Sequence, residues 1–158
     1  MRNLDYHEYK ICQAFARLFE VSTKKANFSS PMFIRRLMTS NLVSMYENKS
    51  YLFLTLNEDD VIDEMNCIYK ASNKAPTYSN EEMYWIGYIY ASIAFLYDKS
   101  FKSIYKLISP KEIVKYYNIY HTFSVETAAE KIMENINYSN LDINQKGVIL
   151  MKKLMSNK

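Results

Sequence analysis

The chain has 158 residues, of which 49% are hydrophobic and 23% charged, and its formal net charge is +3. This length fits one domain, and the hydrophobic content is enough to build a core, so disorder is not expected. Only two glycines and three prolines are present, which argues against an all-β fold because its many turns usually use these residues. The net charge is too small to indicate nucleic-acid binding by itself.

Helical periodicity and capping residues predict helices from the start of the chain. An amphipathic helix is expected over residues 4–20, followed by a loop at residues 23–27. Ser30 and Pro31 then supply a capping hydroxyl and a first-turn proline for a second helix that ends near residues 47–49.

The middle of the chain begins with a segment of weak pattern. Residues 51–56 (YLFLTL) alternate poorly, so we expect an apolar connector or the lead into a helix rather than a paired strand. Asn57, followed by three acidic residues, predicts the start of a helix that runs to about Lys70, because acids stabilise the positive end of the helix dipole. A loop is expected over residues 72–78.

The next helix is predicted to be central. Ser79 and Glu82 form a capping box, and the residues behind them are apolar on nearly every side as far as Tyr97. A helix that is apolar all round is buried all round. Gly87 in its middle costs about 1 kcal/mol against alanine, so we expect a neighbouring helix to approach closely there.

The remaining capped segments predict helices over residues 101–108, 109–120, 124–136 and 143–155. The fold class is therefore predicted to be all-α, a compact bundle of about seven helices around the central helix at residues 80–97. Residues 1–142 are expected to form one helical domain. Residues 143–158 are expected to add a basic helix or arm packed on it, because its charged residues are all lysines: Lys146, Lys152, Lys153 and Lys158.

Motifs that carry chemistry are missing from the sequence. The two histidines, His7 and His121, have no partner at metal-ligand spacing, and Cys12 and Cys67 are too far apart for a CxxC motif. Two isolated glycines exclude a glycine-rich phosphate loop. We therefore expect no metal, no cofactor and no catalytic activity, and we expect both cysteines to be buried free thiols.

The start of the chain and its longest apolar stretch bear on location. The first residues do not form an apolar run of the signal-peptide type. The apolar stretch at residues 83–97 is about 15 residues long, whereas a helix needs about 20 to span a bilayer. The expected location is the cytoplasm, without membrane contact.

Aromatic residues are unusually frequent, with 15 tyrosines and eight phenylalanines. Tyrosine suits both core edges and interfaces. Residues 84–90 (YWIGYIY), 103–106 (SIYK) and 120–122 (YHT), together with residues 33–40 (FIRRLMTS), resemble a family of small helical proteins encoded beside toxin genes, mainly in low-GC Gram-positive bacteria. These proteins look like the antitoxins of type II toxin–antitoxin pairs.

The resemblance implies an antitoxin that binds a toxin enzyme directly and blocks its nucleotide site or its closure. The implied toxin is ADP-ribosyltransferase-like or alarmone-synthetase-like. The residues expected to bind it are Tyr105, Lys106, Tyr120 and His121, which coincide with the family motif and border the central helix. Two alternatives stay open: a DNA-binding regulator of helix-turn-helix type at residues 101–130, and an enzyme of unrecognised type.

Overall fold

The computed structural model describes residues 2–50 and 55–157, and within these ranges the regular elements are all helical. Residues 51–54, part of the connector predicted over residues 51–56, lie outside the described residues. The described residues form nine α-helices and one 3-10 helix with both ends described, in this chain order: α1 (Tyr6–Lys25), α2 (Ser30–Met38), the 3-10 helix (Asn41–Val43), α3 (Ser44–Glu47), α4 (Glu58–Ile68), α5 (Asn80–Leu96), α6 (Phe101–Leu107), α7 (Pro110–Tyr120), α8 (Val125–Ser139) and α9 (Ile143–Ser156). The all-α prediction is confirmed, with more elements than the expected seven.

Most helices begin at a side chain that caps the first backbone amides. Ser79 accepts from the amide of Glu82, and the Glu82 carboxylate accepts from the amide of Ser79. Reciprocal capping boxes of this kind, formed by other residues, also start α1, α7 and α9. These caps satisfy amides that have no partner within the helix, which is why the sequence located these starts well.

The second helix is shorter than predicted: it ends at Met38 rather than near residues 47–49. The Thr39 hydroxyl donates to the carbonyl of Arg35, and the Ser40 hydroxyl donates to the carbonyl of Leu37. Ser40 also accepts from the amide of Leu42 and starts the 3-10 helix. Hydroxyls that bond the nearby backbone compete with helix continuation.

The first helix also differs from its predicted bounds. It continues through Lys25, where the sequence predicted a loop from residue 23. Lys24 and Lys25 occupy its last turn, where positive charge is favourable against the helix dipole.

Helix α5 crosses the molecule and packs against α1, α6, α7 and α8. Thirteen of its 17 residues are buried. A Cβ atom added at Gly87 would lie 2.7 Å from Cγ of Phe19 and 3.0 Å from the carbonyl oxygen of Phe15, both on α1. The glycine therefore permits the close approach of α1 that its position in the sequence predicted.

Both cysteines were predicted to be buried, and the structure agrees for only one of them. Cys12 is fully buried and Cys67 is exposed. Burial raises the pKa of the Cys12 thiol to about 12, which leaves it protonated and inert. Cys67 is exposed because α4 turns Val61, Ile62 and Met65 inward and carries Cys67 on another face.

A buried carboxylate fastens the start of the chain to the bundle. Glu8 is 1% exposed and forms ion pairs with Arg2 and Lys49. The Arg2 guanidinium also donates to the carbonyl of Phe95, at the end of α5. Hydrogen bonding from Arg2, opposed by burial and reinforced by Lys49, lowers the pKa of Glu8 to about 2.

Candidate protein-binding surface

The four residues predicted to bind a partner lie on two consecutive helices. Tyr105 and Lys106 lie in the last turn of α6, whereas Tyr120 and His121 lie at the end of α7. Helix α7, of 11 residues, separates the two pairs along the chain. The structure therefore places them as two separate pairs rather than as one cluster.

The end of α7 carries stacked aromatic rings, which we call the aromatic corner: Tyr116, Tyr117, Tyr120, His121 and Phe123. The Tyr116 and Tyr120 rings stack with centroids 5.8 Å apart, and those of Tyr117 and His121 stack at 4.5 Å. Phe123 follows Tyr120 at 5.7 Å and is 45% exposed.

The aromatic corner packs against α5 and against its own backbone. Tyr117 meets the ring of Trp85 on α5 edge-on, with centroids 5.7 Å apart. The His121 ring nitrogen Nδ1 lies 2.7 Å from the carbonyl oxygen of Tyr117. Rigid aromatic side chains lose little entropy on binding, which is why they serve as anchors in interfaces.

Tyr105, in the other predicted pair, is half-buried and lies near the buried Tyr90. Burial raises the pKa of the Tyr90 phenol well above its ordinary value, and the neighbouring Tyr105 raises it further. The Tyr90 hydroxyl donates to the carbonyl of Ile108 at 2.8 Å. Lys106 is exposed, as are three further lysines of α6 and α7: Lys102, Lys111 and Lys115.

A polar bridge connects the aromatic corner to α8 and α9. The Asn135 side-chain amide donates to the Tyr120 hydroxyl at 3.0 Å. Asn135 also lines a shallow cleft of about 270 Å³ between α8 and α9, together with Glu134, Tyr138, Ile149, Leu150 and Lys153. The surface around Tyr120 is therefore continuous with the last helix.

Helix α9 is the most exposed element of the described chain, and none of its residues is buried. Six of its apolar side chains are more than half exposed: Ile143 (87%), Val148 (54%), Leu150 (55%), Met151 (64%), Leu154 (61%) and Met155 (70%). Exposed apolar surface this extensive is unusual and commonly marks an interaction site.

Sequence reasoning missed Ile119 and Phe123 as surface residues, and it did not identify the exposed face of α9. Ile119 is 59% exposed although it lies within an amphipathic helix. Phe123 directly precedes the Ser124 cap, a position where an apolar residue usually packs onto its own helix. The apolar count of α9 was visible in the sequence, but its lack of a covering element was not.

Residues 2–50 and 55–157 contain no group of three or more His, Cys, Asp or Glu residues placed to hold a metal ion. Within the same ranges no helix is both long and apolar enough to cross a membrane.

Comparison of the chain with protein-family models, with curated proteins and with solved structures finds no match.

Proposed function

We propose that this chain is a cytoplasmic antitoxin of a type II toxin–antitoxin pair, a binding protein that neutralises a toxin enzyme by direct contact. The observation that carries the proposal is the aromatic corner, a stacked and partly exposed set of rings at the end of α7. Interfaces owe most of their binding energy to a few such anchors. The resemblance of residues 84–90 and 103–106 to antitoxin sequences supplies the class of partner.

The exposed lysines of α6 and α7 suit the toxin classes that the resemblance implies. They are Lys102, Lys106, Lys111 and Lys115. The nucleotide site of an ADP-ribosyltransferase-like or alarmone-synthetase-like enzyme can present catalytic acids when no nucleotide is bound. Lysines of the antitoxin would then cover that site or prevent its closure.

The test is co-expression with the adjacent open reading frame. Expressed alone, the neighbouring product should arrest growth, and this chain should restore growth and co-purify with it. Tyr120→Ala and His121→Ala should each weaken the complex by roughly 30-fold, the effect of removing a hot-spot side chain. Tyr105→Ala and Lys106→Ala should weaken it as well, since the resemblance implies that both residues contact the toxin.

Two variants control this experiment. Tyr120→Phe keeps the ring and loses only the hydroxyl that accepts from Asn135, so rescue should persist. Tyr6→Ala removes a tyrosine that is 77% exposed at the start of α1, far along the chain from the aromatic corner, and should leave rescue intact. Each variant must melt like the wild type before its rescue is scored. Rescue by well-folded variants at all four positions would contradict the proposed surface.

The alternative function, a DNA-binding regulator, is tested alongside the co-expression experiment. Glu130 and Glu134 are exposed on α8, within or beside the segment that would face the phosphates, and carboxylates there oppose DNA binding. A chain that retards its own promoter DNA but never binds the neighbouring product would replace the antitoxin proposal with the regulator.

A further inference from the structure

We infer that the exposed face of α9 pairs with α9 of a second copy of this chain, in antiparallel orientation. This inference is independent of the proposed function, because it rests on the sequence spacing, exposure and charge of α9 alone. A helix with six apolar side chains more than half exposed requires a covering surface, and the arrangement of those side chains favours α9 itself.

Three of the six exposed apolar side chains, together with Gly147, form a seam with a symmetric spacing, and the other three flank it on one side. Ile143, Gly147, Leu150 and Leu154 are separated by four, three and four residues, so at 3.6 residues per turn they lie within about 60° of one another. The spacing reads the same in both directions. Two antiparallel copies therefore place Ile143 opposite Leu154 and Gly147 opposite Leu150, on both sides of a two-fold axis.

The sizes of these side chains are complementary in that register. A Cβ atom added at Gly147 would meet nothing within 4 Å, so the glycine leaves a hollow on the helix surface. The Leu150 side chain of a second copy fills it, because a knob of one helix packs into a hole of the other. A parallel pair would instead place two glycines together and leave a gap.

Charge also favours the antiparallel orientation. Asp142 caps the start of α9, whereas Lys152 and Lys153 lie in its last turns. Antiparallel pairing brings the lysine end of one copy beside Asp142 of the other, and it also opposes the two helix dipoles. Parallel pairing would place the lysines of both copies side by side.

The size of the face sets the expected strength. A specific interface takes roughly 800 Å² from each partner, about a tenth of a small protein's surface, and this chain exposes 9149 Å². A helix of 14 residues is roughly 21 Å long. Its pairing alone buries less than roughly 800 Å² per partner, so we expect a weak dimer that forms at micromolar concentration.

A lipid surface is a poorer occupant for this face. Helices that lie in a membrane interface commonly present tryptophan or phenylalanine among their apolar residues. The α9 sequence, INQKGVILMKKLMS, contains no aromatic residue. Binding to vesicles is nevertheless one of the outcomes that the experiment must distinguish.

The first experiment is sedimentation equilibrium of the full chain across the micromolar range. The wild type should dimerise, and Gly147→Leu should weaken association by about tenfold or more because it fills the hollow. Ser156→Leu adds the same bulk on the opposite side of α9 and should have no effect. Neither substitution falls in the core, so equal thermal melts at low concentration show that both variants fold. A chain that stays monomeric throughout, with or without binding to anionic vesicles, would overturn the inference.

The second experiment tests the register by disulfide formation in a Cys67→Ser background, with Cys12 buried. Ile143→Cys mixed with Leu154→Cys should cross-link on oxidation. Either variant alone should not, because its two copies of the cysteine would be roughly 16 Å apart along the axis, beyond disulfide reach. Cross-linking of Ile143→Cys with itself would overturn the antiparallel seam.

Discussion

Gly87 lies where α1 passes against α5, and the space beside it is too small for a methyl group. Because a Cβ atom would lie 2.7 Å from Cγ of Phe19 and 3.0 Å from the carbonyl oxygen of Phe15, we expect Gly87→Ala to lower the free energy of unfolding. The overpacking should cost about 1–3 kcal/mol, more than the roughly 1 kcal/mol that alanine gains in helix propensity. Gly87→Leu should cost more still. Urea denaturation measures both.

The matched control for Gly87 is the other glycine of the chain. Gly147 is also helical, but nothing lies within 4 Å of an added Cβ atom. Gly147→Ala should therefore leave the core unaffected and make α9 more helical, when measured at a concentration too low for pairing. If both alanine variants unfold at the same urea concentration as the wild type, the close contact of α1 with Gly87 is wrong.

Glu8 predicts how stability responds to acid. Its pKa is lowered from 4.5 to about 2 in the folded chain by hydrogen bonds from Arg2 and Lys49. A lowered pKa stabilises the fold above the unfolded value, and that stability is lost as the pH falls from about 4.5 through about 2. Arg2 and Lys49 are each 40% exposed, so solvent screening reduces the contribution to about 2 kcal/mol at neutral pH.

Glu8→Gln isolates this contribution. Glutamine keeps an acceptor for the amide of Asp5 in the capping box but removes the charge that binds the two cations. The variant should be less stable than the wild type by about 2 kcal/mol at pH 7, and the difference should shrink as the pH approaches 2. A difference that is constant with pH would show that the ion pairs do not stabilise the fold.

At the scale of elements, α5 and α9 differ most in how much of each helix is buried. Thirteen residues of α5 are buried, whereas none of α9 is. Amide hydrogen exchange at low protein concentration should therefore protect α5 up to the free energy of global unfolding, while α9 opens locally and exchanges fast. At high concentration, pairing should slow exchange in α9 alone. Protection of α9 equal to that of α5 at all concentrations would contradict this division.

Helix starts were the most predictable elements, because a cap is a local interaction between residues three positions apart. Ser79 with Glu82 and Ser109 with Glu112 could be identified from the sequence for that reason. The break after Met38 was not predicted, since Thr39 and Ser40 also occur inside helices and only their bonds to the backbone reveal the choice. Burial of Cys67 was predicted wrongly because it lies two residues beyond the buried Met65, which places it on the opposite face of α4.

The candidate surface was less predictable than the fold. Tyr120 and His121 were identified, but their stacking with Tyr116 and Tyr117 depends on the side-chain directions at the end of α7. Tyr105 and Lys106 are separated from this pair along the chain because the whole of α7 lies between them. Exposure of α9 depends on contacts between distant segments, which no local pattern encodes.

At the scale of the whole molecule, a buried core that includes most of α5 supports two surfaces of different chemistry. The aromatic corner belongs to a helix whose Ile113 is buried in that core, so its geometry is fixed by packing. Helix α9 meets the end of α8 along one side, where Lys146 lies over the Tyr138 ring, and most of its exposed face lies outside that contact. The growth-rescue and sedimentation experiments can therefore fail separately, and a Tyr120→Ala chain should still dimerise.

The exposure of α9 has a consequence for how its sequence can vary. Substitutions in a core helix are filtered first by folding, since most of them cost stability. No residue of α9 is buried, so changes at Ile143, Leu150 or Leu154 should cost the fold little. Such changes can therefore alter the inferred pairing of α9 while the remaining helices stay unchanged.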